Sequence, residues 1–143
     1  MMDAAIDRFT PDIAARGRLL IAKFAAKYPA ANCLVYDNYN ALAVAFASGE
    51  TASSAFVSVT FYPRWVSIFF SRGIELHDPE ARLEGGGARI RHIKIRDDAA
   101  VDDPYLDALA EGAAAIADPP VPASGTGQLL IKTAMDNRRS RRP

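Results

Sequence analysis

Arg72, Arg89, Arg91, His92 and Lys94 surround a Gly85-Gly86-Gly87 run, and this is the grouping that most readily suggests chemistry. Consecutive glycines let backbone N–H groups converge on an oxyanion, and arginine offers a planar two-point fork to carboxylate or phosphate. These eight residues therefore form a candidate site for a small anionic ligand, or for a weak enzyme acting on an anionic substrate. A P-loop is excluded, because that motif ends in Gly-Lys-Ser/Thr and opens a helix, whereas this run leads into a strand. The bland alternative is a flexible turn beside a solvated edge strand, its arginines pairing with Glu84, Asp97 or Asp98.

Other reactive types are sparse. The chain has one cysteine, Cys33, which excludes an internal disulfide framework and a Cys-based zinc site. Neither histidine, His77 nor His92, is near Cys33 in sequence, and no Gly-x-Ser-x-Gly elbow occurs. A lone cysteine is most often a small buried hydrophobe, so no catalytic residue is expected and the chain is read as a non-enzyme with no cofactor. Glu75, His77, Asp78 and Glu80 with His92 lack the spacing of a zinc or di-iron centre. Asp97, Asp98, Asp102, Asp103, Asp107 and Glu111 could hold a hard cation at an acidic helix surface, which gives divalent-metal handling as a further alternative. Turn-forming aspartates and a helix N-terminal charge bias explain the same residues without a metal.

The 17 basic and 17 acidic residues cancel, but not locally. Residues 51–96 hold seven bases and four acids, residues 97–118 seven acids and no base, and residues 119–143 five bases and one acid. A polarised surface follows. The bases Arg138, Arg139, Arg141 and Arg142 could attract phosphate. Without an aromatic-studded basic face or a helix-turn-helix pattern, a solvated tail is the expectation and a nucleic-acid partner is not. No apolar run approaches a membrane span, and charges at Asp3, Asp7 and Arg8 leave no signal-peptide core. A cytoplasmic protein without membrane contact is expected.

Positioning these residues requires a small set of elements. Thr10, Pro11 and Asp12 start a helix reaching Lys27, with Ile13, Gly17, Leu20, Ile21, Phe24 and Tyr28 on one stripe and Arg16, Lys23 and Lys27 on another. Gly17 within the buried stripe predicts close approach to whatever lies beneath. Strands follow at 33–39, 41–47, 56–62 and 65–71, separated by short turns that favour antiparallel pairs, and another lies near 91–96. Asp103 and Pro104 open a second helix, closed by Asp118-Pro119-Pro120. The expected fold class is α+β in two layers: a curved antiparallel sheet of five or six strands with helices on one face. One domain covers 1–127, a C-terminal strand or short helix 128–136, and a basic disordered tail 137–143.

Alternation divides the sheet. Leu42, Val44, Phe46, Val57, Val59, Phe61, Val66, Ile68 and Phe70 make a face fit to receive helices. The opposite face carries Ala43, Ala45, Ala47, Ser58, Thr60, Ser67 and Ser71 with Phe56, Tyr62, Trp65 and Phe69 among them. Four aromatics there exceed the apolar area a monomer usually leaves wet. Phe56, Tyr62, Trp65 and Phe69 are therefore the candidate partner face, for another protein or for a second copy in a homodimer. Cover from within the chain, by 32–40 or 128–135, is the competing expectation.

Phe70 with Gly73, Leu76 with Asp78-Pro79, Leu83 with Gly85 and Gly87, and Arg91-His92-Ile93-Lys94 stand in an order that resembles the YdhG-like family. With the leading helix, the strand block and the Ala-rich helix, the resemblance covers about residues 3–118. It implies an α+β layer similar to secretion-chaperone-like folds and a tendency to form dimers. It implies no catalytic residue, since the family has no general assigned activity.

Overall fold

The computed structural model describes residues 2–133 and 140–143. Three helices, α1 (Met2–Ile6), α2 (Pro11–Lys27) and α3 (Pro104–Ala115), accompany six strands: β1 (Asn32–Asp37), β2 (Leu42–Ala47), β3 (Ala55–Phe61), β4 (Val66–Phe70), β5 (Arg91–Ile95) and β6 (Leu129–Thr133). The strands form one sheet in the order β5-β4-β3-β2-β1-β6. β1 to β5 run antiparallel to their neighbours, as the short turns dictate. β6 departs from that expectation. It pairs parallel to β1, because the chain must cross from the end of α3 through a long connection before it can join the edge.

The α+β class is as the sequence reading has it. Pro11 opens α2 and the amide of Tyr28 bonds the Phe24 carbonyl at its end. In α3 the Asp103 carboxylate accepts from the Tyr105 amide at 2.9 Å, the side-chain cap its position calls for. Ile6 and Phe9, then Ile13, Leu20 and Phe24 of α2, and Leu106, Leu109 and Ala110 of α3 bury against Val44, Val59, Phe61, Ile68 and Ile93 in one core. Gly17 meets Phe61 as closely as its place in the stripe implies: a Cβ there would lie 1.9 Å from the ring.

Phe56 corrects the two-face reading. Pairs Phe46↔Val57 and Ala47↔Ala55 leave Phe56 as an extra residue in β3, so a bulge breaks the alternation. Phe56 is buried in the helix-side core, edge-on to Tyr28 at 5.3 Å, and does not belong to the outer face. The basic tail also differs in part from a solvated end. Arg141 is 4% exposed and pairs with buried Asp37, while Arg142 is exposed. Met135, Arg138 and Arg139 lie outside the described residues.

Candidate functional site

The outer face of the sheet is built in stripes. β5 places His92 and Lys94 on it, and Arg96 continues the alternation just past the strand end. β4 contributes Ser67 and Phe69, with Trp65 immediately before it, and β3 contributes Ser58 and Thr60, with Tyr62 just after it. β2 contributes Ala43, Ala45 and Ala47, and β1 contributes Leu34 and Tyr36. Register aligns these into cross-sheet rows, Leu130–Leu34–Ala45–Ser58–Phe69–His92 and Tyr36–Ala43–Thr60–Ser67–Lys94. A cationic stripe thus borders an aromatic one, and small residues fill the middle.

The aromatic rim is ordered by ring contacts. Tyr62 stacks on Trp65 at 5.0 Å, Lys94 Nζ lies 4.6 Å from the Trp65 ring centroid, and Phe69 stacks on His92 at 4.9 Å. Burial among these neighbours raises the Tyr62 phenol above its ordinary value. Leu34, Ala45 and Ala47 form a second, buried apolar cluster, with Tyr36, Ala55 and Leu130 of the sheet packed against it. Segments 32–37 and 129–133 enter this sheet as β1 and β6. Both supply strands that widen it.

The eight residues of the anion hypothesis do not stay together. Arg72, Gly87 and Arg89 line a cavity of about 700 Å³ beside the end of α3, which Ile90 and Phe56 also wall. Arg91 turns back to the carbonyls of Gly87 and Ile90 at 2.6 and 2.7 Å. His92 and Lys94 lie on the outer face instead, because alternation along β5 sends them away from Ile93 and Ile95. Gly85 has φ +130°, a backbone conformation that side chains rarely adopt, whereas Gly86 and Gly87 stand in open space. Arg72 holds Glu75 through two hydrogen bonds of 2.6 and 2.7 Å and also donates to the Ile116 carbonyl. The hydrogen bonds from Arg72 hold the Glu75 carboxyl below its usual value.

The acidic segment has a structural explanation. The basic side of α2 faces it: Arg16 pairs with Asp98 at 3.2 Å, Lys23 with Asp107 and Lys27 with Glu111 at 3.5 Å. Among the described residues no three His, Cys, Asp or Glu side chains gather as metal ligands. Cys33 is also a poor nucleophile, since burial pushes its thiol up to about 11.

Asp78 and its surroundings form a clasp. The carboxylate accepts from the amides of Arg82 and Leu83 at 2.9 Å and from the Tyr105 hydroxyl, while Arg82 pairs with Asp103 at 2.9 Å and lies over the Tyr105 ring. Burial alone would raise Asp78, but the Tyr105 hydroxyl, the two amides and the Arg82 charge outweigh it and hold the carboxyl below its usual range. Asp103 is lowered by the Tyr105 amide and then by Arg82. Two depressed carboxyls stabilise the fold fully above their unfolded value of about 3.9, and that stabilisation is lost as pH falls through the lower native values. Asp78→Asn is therefore expected to be less stable than the wild type at neutral pH, with a gap that narrows in acid. Urea unfolding at several pH values measures it, and a gap independent of pH would remove the carboxylate from the clasp.

Part of the family-like pattern serves packing. Leu76 and Leu83 pack against the core, and a Cβ at Gly73 would meet the Arg91 backbone at 2.7 Å. Comparison with family models, curated proteins and solved structures finds no match to the chain. No helix among the described residues is long and apolar enough to cross a membrane. The class defined here is an α+β two-layer domain with helices on one side of an open six-stranded mixed sheet.

Proposed function

We propose that this chain is a non-enzymatic binding module of YdhG-like type whose outer sheet face receives an amphipathic helix with an acidic flank. One observation carries the reading: strands of the sheet build a second apolar cluster on the outer face, apart from the helix-side core, and its floor is small. From β1 to β4 there are three interstrand spacings, so the floor between Tyr36 or Leu34 and Trp65 or Phe69 is about 14 Å wide. A helix with its side chains is about 10–12 Å across. Ala43, Ala45, Ser58 and Thr60 let it approach closely. Lys94 and Arg96 line one side, with Arg64 in the adjoining β3–β4 turn, and these suit carboxylates. Nucleic-acid stacking is less favoured, because Trp65 and Phe69 already pack their rings against Tyr62, Lys94 and His92.

Trp65 is the sole tryptophan, so its emission reads the trough directly. Titration with a synthetic Leu-striped, Glu-flanked helical peptide is expected to shift Trp65 emission to the blue, saturably. The Lys-flanked counterpart is expected to bind at least about tenfold more weakly, and Lys94→Glu to reverse the preference. Emission that responds instead to single-stranded DNA, or to protein concentration alone, would replace this reading with nucleic-acid binding or self-association.

A further inference from the structure

The 700 Å³ cavity lies on the helix side of the sheet, away from the trough, and its chemistry is of another kind. Its walls are mostly apolar, from Phe56, Ile90 and Ile116, with Ala113 of α3 and Ala117 just past it leaving the space between them. Ile90 is 53% exposed, an apolar side chain turned out of the sheet pattern at the cavity mouth. Three charged residues also line the cavity. Arg72 is engaged by Glu75 and the Ile116 carbonyl. The side chains of Arg89 and Asp118, opposite in sign, make no hydrogen bond or ion pair among the described residues, although Glu75 lies in the field of Arg89 and Arg72 in that of Asp118.

The two ends of this cavity differ electrostatically. Ile116 and Asp118 stand just past α3; Arg72 already meets the Ile116 carbonyl, which leaves the Asp118 carboxylate as the group at this end that favours a cation. Arg89 stands on the glycine loop beside the Gly87–Ala88 backbone, which favours a carboxylate. A simple anion would be drawn to Arg89 but repelled by Asp118. A molecule carrying both charges around an apolar body satisfies all three surfaces. We propose that this cavity binds a small zwitterion with an apolar side chain, of the apolar α-amino acid class, its carboxylate on Arg89, its ammonium at Asp118, and its side chain against Phe56, Ile90 and Ile116. This inference is independent of the trough.

Titration of the full chain with L-leucine and L-phenylalanine, read from the methyl resonances of Ile90 and Ile116, tests it. Saturable shifts are expected, with glycine, N-acetyl-leucine and leucine amide each binding at least about tenfold more weakly. Arg89→Ala and Asp118→Ala change exposed residues whose side chains hold no hydrogen bond among the described residues, and each is expected to weaken leucine by about the same factor. Equal binding of leucine and either blocked analogue would overturn the two-ended recognition. Absence of any methyl shift at about 10 mM leucine and phenylalanine would overturn the site.

Discussion

Asp37→Ala is expected to cost about 3–5 kcal/mol, the range for removing one member of a buried ion pair. Asp37 is 3% exposed at the end of β1, on the helix side of the sheet. Arg8, just after α1, pairs with one carboxylate oxygen, and Arg141 holds the other at 2.8 Å while also donating to the Asn38 carbonyl. The Arg141 guanidinium lies 5.6 Å from the Phe9 ring centroid, and its amide bonds the Arg8 carbonyl at 2.9 Å. Removing the carboxylate leaves two guanidiniums close together with poor access to water, so the loss exceeds that of a surface pair. For a chain of this length, the expected fall in Tm is about 10 °C. Arg141→Ala should cost less, because Arg8 still neutralises Asp37. The penalty of Asp37→Ala should also change little with salt, unlike that of an exposed pair. A Tm within about 2 °C of wild type for Asp37→Ala would show this clasp of Asp37 between Arg8 and Arg141 to be solvated.

That clasp marks the limit of what the sequence reveals. Helices α2 and α3, the order of β1 to β5 and the apolar stripe under α2 are all legible, because they depend on periodicity and turn residues close together in the chain. The opposed charges of α2 and the 97–118 segment are legible as composition, but their pairing needs the packing of one helix beside the other. The outer face is half legible. Its small and aromatic residues follow from alternation, yet the bulge at Phe56 depends on how β2 meets β3. The sequence shows no aromatic-studded basic face because Trp65 and Phe69 are separated from His92 and Lys94 by the loop between β4 and β5. Antiparallel pairing sets them side by side. Arg141 reads as one base in a solvated tail because its partner, Asp37, is distant in the chain. The parallel strand β6 is hidden for the same reason: its five residues carry no sign of which edge they join.

Gly17→Ala tests the spacing between the layers, and here two effects of opposite sign compete. In an exposed helix, alanine would stabilise by about 1 kcal/mol relative to glycine. At Gly17 the new methyl would stand 1.9 and 2.1 Å from the Cε2 and Cζ atoms of Phe61. That ring is fully buried and packs 5.4 Å from Phe9, so it has little room to retreat. Either α2 lifts from the sheet or Phe61 leaves its rotamer, at a cost of about 1–3 kcal/mol and more if both are needed. The clash outweighs the propensity, and a net loss of about 2 kcal/mol is expected in urea unfolding. Phe61→Leu alone should also destabilise, by opening a cavity under α2. Combined, each substitution relieves the other, because the shorter side chain vacates the space the methyl needs. The double-mutant cycle should therefore show favourable coupling above about 0.5 kcal/mol. A stabilising Gly17→Ala, or strict additivity with Phe61→Leu, would mean that α2 rides higher above the sheet. The core would then be held by Leu20 and Phe24 rather than by the contact at Gly17.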